Sequence, residues 1–367
     1  MIISVEKKEF MEAVRTVTRF AERRSATLAA LSGIAIIADS DVIKLRATNL
    51  EVGIDLAVNG NIKQAGVVVL PAAVLREFAT SLAGEGTVTI EYAGETAVIT
   101  QPGGKSVLKT LPAEDFPTIP IPTKTDKNPS LKGQTLIDLF GAVIACASPS
   151  TVRPELNSVL FSQEGGILTA VASDSFRLAE KKVPNKDSGT PFSILIPAKN
   201  IGDILPVLPP EGMVNLLIDE HQCAFSWEQG VATTRLVSAQ YPDYAQIIPK
   251  TFAAEATLLR KDLEVALHRV AVFSDSFQKV QCAFNSKEKK MVLSSHNSDV
   301  GESSETVAAT ITGESFTLSF NHRYLSAPLS LIQTDTLTLG AAGVGRPLII
   351  RGAGDTSFLY LVMPMNQ

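Results

Sequence analysis

Gly103-Gly104-Lys105-Ser106 has the ending of a phosphate-binding loop. Such a loop needs another glycine five residues before its second one, and Ile99 stands there. It also needs a helix to follow, and VLKTL alternates like a strand. The segment therefore reads as a hairpin turn. The four histidines, His221, His268, His296 and His322, show neither HExxH nor any other short ligand spacing. No GxSxG elbow occurs. Cys146, Cys223 and Cys282 form no CxxC pair and read as buried thiols of a reducing compartment. Asp174, Asp243 and Glu155 could in principle serve as acid and base. The surrounding SDS and YPDY sequences instead suggest that the two aspartates organise turns. The expectation is a protein with no catalytic group, no metal and no cofactor.

The elements that would position these residues occur in triplicate. EKKEFMEAVRTVTRFAE, TLIDLFGAVIACAS and LLRKDLEVALHRVAVF each read as an amphipathic helix, with Phe10, Leu136 and Leu263 in matching places. A strand followed by a polar turn recurs in KLRATNLEVGI, LTAVASDSFRLAE and MVLSSHNSDVGES, where Asn49, Asp174 and Asn297 match. A strand, a break and a short helix recur in VVVLPAAVLREFATSL, SILIPAKNIGDILPVL and TLSFNHRYLSAPLSLI, where Pro71, Pro197 and Asn321 match. Proline is tolerated there because the first helical N–H has no partner in any case. The ends SVLKTLPAEDFPTIP and TRLVSAQYPDYAQIIP also align, and SFLYLVMPMNQ stops at the same point. Matching positions lie about 125 residues apart, so three copies fill 367 residues. A period this long is a domain duplication and not a solenoid. The repeats divide the chain into α+β domains at 1–122, 129–249 and 254–367, joined by the proline-bearing stretches IPIPTKTDKNPS and IIPKTFAAEA.

Composition bounds the function. Hydrophobic residues make up 45% and charged residues 19%, which is globular and not disordered. The N-terminus lacks a secretion pattern, and no apolar run reaches membrane-spanning length, so a soluble cytoplasmic protein is expected. The net charge of −5 argues superficially against nucleic acid. It is unevenly spread. The helix segments 6–24, 131–154 and 258–273 together carry +4, leaving −9 on the remainder. In the first helix Phe10, Val14, Val17 and Ala21 form one stripe, and Lys8, Glu12, Arg15, Arg19 and Glu22 form the opposite one. The faces read either as ordinary solvated surface or as a basic field on one side of an acidic protein, able to hold phosphates loosely and without sequence preference.

Together, TLPAEDFP at 110–117, RPELNSVLF at 153–161, ASDSFRLA at 172–179, YPDY at 241–244, SFNHRYL at 319–325 and the terminal LVMPMNQ resemble the bacterial β sliding clamp family, the processivity subunit of DNA polymerase III. The likeness spans residues 1–367. It implies three duplicated domains of the DNA-clamp fold per chain and a head-to-tail homodimeric ring, with helices inside and sheets outside. It implies a non-enzymatic processivity factor that encircles double-stranded DNA. Its partners would be the replicative polymerase, the clamp loader and repair factors, bound through short linear peptides, with no membrane partner. The peptide cleft would comprise Leu156, Ser173, Ser175, Phe176, Arg177, Leu178, Pro242, Gln246, Ile247, Phe277, Asn321, Tyr324, Pro347, Val362, Met363, Pro364 and Met365. Arg24, Arg153 and Lys199 would face DNA, with Arg15, Arg19 and Lys132 as weaker candidates. Leu108, Val272 and Phe273 would lie at the dimer joint. Phe176 stands where many members have histidine, and Gln246 where some have arginine. A non-DNA repeat scaffold and a carboxylate-dependent hydrolase are the alternatives. The first would expect exposed aromatics on sheet faces, and the second a convergent acid–base pair.

Overall fold

The computed structural model describes residues 1–22, 28–123, 129–185 and 190–365. The chain forms two compact units, Met1–Ile137 with Lys199–Val237, and Asp138–Ala198 with Ser238–Gln367. The central repeat is therefore shared between them. The cause is strand pairing that runs from one repeat into the next.

In the first unit an eight-stranded antiparallel sheet runs from Ser130–Lys132 through Met213–Ile218, Gln222–Trp227 and Gly230–Arg235. It continues into Val52–Val58, Val42–Thr48, Gly33–Asp39 and Gly66–Pro71. The seam between repeats pairs Thr234 with Val52 and Gly230 with Leu56. A five-stranded sheet ends on the edge strand Gly104–Lys109. The Gly-Gly-Lys-Ser motif is the hairpin that opens this strand. Gln101 faces Gly104, and Gly103 takes a φ of +85°, which glycine adopts without a Cβ clash. The helices Lys7–Val17 and Ala72–Ser81 pack together and against these strands. Phe10, Val14 and Val17 are buried as their spacing predicts, while Lys8, Glu12, Arg15 and Arg19 stay exposed; the helix ends at Val17, so Ala21 and Glu22 of the expected stripes lie beyond it and are both half-buried.

The second unit carries a twelve-stranded sheet. Its seam joins Arg177–Pro184 to Phe358–Val362, with Arg177 opposite Val362 and Leu178 opposite Leu361. In the long strand Gly301–Gly313, residues 309–313 pair with Ala254–Leu258, whereas residues 301–308 pair only with Lys290–Asn297 among the described residues. The second repeat's helix is shorter than its apolar spacing suggests. It ends at Gly141 and gives way to a 3-10 turn over Ile144–Cys146, though Leu136, Leu139, Phe140 and Val143 are all fully buried.

One ion pair tests the packing of the first unit. Arg46 and Asp55 are cross-strand partners, with Arg46 Nε donating to Asp55 Oδ1 at 2.6 Å and Nη2 to Oδ2 at 2.5 Å. Asp55 is buried, while the Arg46 side chain keeps 23% of its exposure. Asp55→Ala should cost about 2 kcal/mol in denaturant unfolding. That is less than removing a partner from a fully buried pair, because the arginine can rehydrate. A loss under about 0.5 kcal/mol would show the pair to be peripheral to stability.

Candidate functional site

The polar turn after the third strand of each repeat is built by its Asx residue. In the second repeat, Asp174 Oδ1 accepts from the N–H groups of Phe176 and Arg177 at 2.9 and 3.0 Å. Ser173 Oγ accepts from Ser175 N at 3.2 Å and donates to the Arg177 carbonyl at 2.9 Å. These bonds hold Ser175 at a φ of +77° and leave Phe176 61% exposed. Asp174 thus builds its turn, whereas Asp243 precedes the short helix Tyr244–Ile247 without a side-chain bond to its backbone. Asp174 Oδ2 also takes the Arg177 Nε bond at 2.9 Å, and Asp243 takes the Gln246 amide at 2.9 Å.

Arg177 knits the surface together. Its Nη2 donates to the Ala145 carbonyl at 2.7 Å, and its guanidinium lies 4.7 Å from the centroid of the Tyr324 ring. Tyr324 is positioned by its short helix, His322–Ser326, which Asn321 caps through Arg323 N at 2.9 Å. The chain then closes the surface with its last residues. Met363 N donates to the Phe176 carbonyl at 2.8 Å, and Met365 N to the Ser319 carbonyl at 2.7 Å. Met363 packs on the cluster of Val171, Leu178, Ile349, Leu359 and Leu361, together with Tyr241, Tyr244 and Ile248. Tyr244 donates to the buried Glu180 carboxylate at 2.7 Å. Burial pushes the Cys146 thiol up to about 12 even though Arg177 pulls the other way, so the thiol is an inert part of the floor.

The cleft residues named from the resemblance take three places in this unit. Phe176, Phe277, Ile247, Pro242, Gln246 and Ser175 are exposed. Arg177, Asn321, Tyr324, Pro347, Met363, Pro364 and Met365 are half-buried. Leu156, Ser173, Leu178 and Val362 are buried, so they form the floor beneath the surface and do not present side chains to a ligand. The carbonyls of Ala145 and Ser319 carry no side-chain signal in sequence, and only folding reveals their use.

Among the DNA candidates, Arg24 lies outside the described residues. Arg153 is exposed and bonded to Glu155 at 2.9 Å, and Lys199 and Lys132 are exposed. The Glu155 carboxyl is held below its ordinary range by its own backbone N–H and then by Arg153. Arg15 and Arg19 line one open cavity of about 800 Å³. Arg76 joins them there, a contribution that its place on a different helix hid from sequence reading. Of the joint candidates, Leu108 is buried on the edge strand while its neighbour Val107 is 60% exposed; Val272 is 64% exposed and Phe273 half-buried.

These features define a class of protein: a repeat-built α+β protein that carries an apolar, methionine-bearing surface braced by a stacked arginine. Among the described residues no group of three His, Cys, Asp or Glu could hold a metal, and no helix is long and apolar enough to cross a membrane. The chain belongs to the DNA polymerase III beta subunit family. Its residues 1–120, 130–243 and 245–366 match that family's N-terminal, central and C-terminal domains in turn. It is 26% identical over 344 residues to the beta sliding clamp of Synechococcus elongatus, with 92% of each chain covered. The DNA polymerase sliding clamp of Bacillus subtilis shares its fold at a TM-score of 0.95 and 23% identity, covering 100% of this chain and 99% of that one. A Pseudomonas aeruginosa sliding clamp solved bound to griselimycin matches at a TM-score of 0.94 and 23% identity, with both chains fully covered.

Proposed function

We infer that this chain is a DNA polymerase processivity factor, a non-catalytic sliding clamp that encircles duplex DNA and tethers the polymerase to it. The observation that carries the reading is the ordered match of all three repeats to the three domains of one family. We take the domains to be 1–122, 129–249 and 254–367, six of them closing a homodimeric ring in the cytoplasm. Helices line its hole, sheets form its wall, and a separate ATP-driven loader opens it.

Two strand edges support the closure. The edge Gly104–Lys109 carries Lys105, Lys109 and the exposed Val107. The open run 301–308 carries the exposed Glu302 and the half-buried Glu305, the latter paired with Arg269, and Gly301 lies beside Phe273. An unpaired strand edge is a template for another chain, and opposite charge fixes which edge it takes. Because the two edges differ, pairing is head to tail, and two such joints close a ring.

The surface around Phe176, Arg177, Tyr324 and Met363 receives short apolar peptide segments of the polymerase, the loader and repair factors. Flexible methionines adapt to different sequences, and exposed Phe176 and Phe277 supply contact area. Arg153, Lys199 and the Arg15–Arg19 face meet the DNA backbone. The test is solution mass: light scattering at micromolar concentration should give twice 39.1 kDa. A stable monomer of 39.1 kDa would overturn the ring.

A further inference from the structure

The two seams between repeats are built alike. In the first, Asn49 Oδ1 accepts from Glu51 N and Val52 N at 3.0 and 2.9 Å. Thr48 Oγ1 accepts from Leu50 N at 3.0 Å and donates to the Val52 carbonyl at 2.9 Å. Leu50 sits at a φ of +73°. This repeats, bond for bond, the turn of Ser173, Asp174 and Ser175. The seam bond recurs as well, since Arg235 N donates to the Glu51 carbonyl at 2.9 Å where Met363 N donates to that of Phe176. Asn200, third residue of the helix Ala198–Ile204, takes the place that Tyr324 holds in His322–Ser326.

The backbone is the same, but the surface chemistry is reversed. Where the second seam shows Phe176 and Met363, the first shows Glu51 and Arg235, with side chains 58% and 67% exposed and 4.0 Å apart. Where Tyr324 stacks on Arg177, the Asn200 amide turns inward to Thr234 Oγ1 at 3.0 Å. An apolar segment settling on the first seam would strip water from two charges whose mutual attraction at the surface returns little.

We propose that the first seam is a second copy of the docking site, closed to apolar peptides by Glu51 and Arg235. The proposal rests on the docking reading of the second seam. Side-chain chemistry on one shared backbone thus confines docking to one place per chain: two charges stand where Phe176 and Met363 are apolar, and Asn200 and Val52 stand where Tyr324 and Arg177 stack.

The experiment is calorimetric titration of the full-length protein with griselimycin, the compound held by the P. aeruginosa clamp. The unmodified protein should bind one molecule per chain. Glu51→Phe with Arg235→Met should bind two, and the second should persist when Met363–Gln367 is deleted. Both replaced side chains are exposed, so melting should be unaffected. The reciprocal variant, Phe176→Glu with Met363→Arg, should weaken the native site by about a hundredfold. Two sites in the unmodified protein, one site in the Glu51/Arg235 variant, or a reciprocal variant of undiminished affinity would each overturn the proposal. No binding by the unmodified protein would overturn the docking reading and the proposal together.

Discussion

Loaded onto nicked circular DNA, the protein should stay with the DNA through gel filtration at high salt and be lost when the circle is cut. The expected drop in retained protein is on the order of tenfold or more, because a ring needs no grip to remain on a circle and has none to keep it on an end. The charge distribution supports this. A tight electrostatic binder carries a large basic excess, whereas this chain totals −5 with only a slight positive bias on its helix segments. Raising salt screens phosphate contacts and leaves a topological link untouched. Equal retention on circular and linear DNA would refute encirclement and make the basic face an ordinary binding site.

Deleting Met363–Gln367 should abolish docking of a polymerase-derived peptide while leaving the fold intact. The deletion removes the Met363 bond to Phe176 and the Met365 bond to Ser319. It also removes half-buried methionine surface, and a fully buried methionine side chain is worth roughly 1.5–3 kcal/mol. Two half-contributing methionines and the loosened Phe176 turn together correspond to about 3 kcal/mol, or more than a hundredfold in affinity. The last strand survives, since Val362 keeps its place opposite Arg177. Peptide titration by fluorescence anisotropy, with thermal melting as the control, reads both effects. Unchanged affinity would remove the tail from the site.

Much of the local structure was legible because local structure depends on neighbours in the chain. The buried stripe Phe10, Val14 and Val17 follows from helical spacing. The turns at Asn49 and Asp174 follow from side chains that reach N–H groups two and three residues on. The second repeat's helix is shorter than its apolar spacing, which continues past Gly141 although the backbone tightens into a 3-10 turn at Ile144–Cys146. Leu178 and Val362 matched cleft positions by sequence, yet both are fully buried. Alternation along a strand says which residues share a face, and only the opposing layer says whether that face is covered.

By itself the sequence determined three copies of one α+β unit, where each helix starts but not where the first two end, the turns at Asn49 and Asp174, and the absence of any recognisable catalytic spacing. The tertiary structure alone decided that the sheets run across the repeat seams, so that the central repeat divides between two units. It alone brought Arg177 over Tyr324, laid Met363 and Met365 against Phe176 and Ser319, and left 301–308 as an open edge among the described residues. The physical reason is range. Periodicity and capping act over a few residues, whereas strand register and stacking join groups more than a hundred residues apart, and the sum of packing choices sets which edges meet.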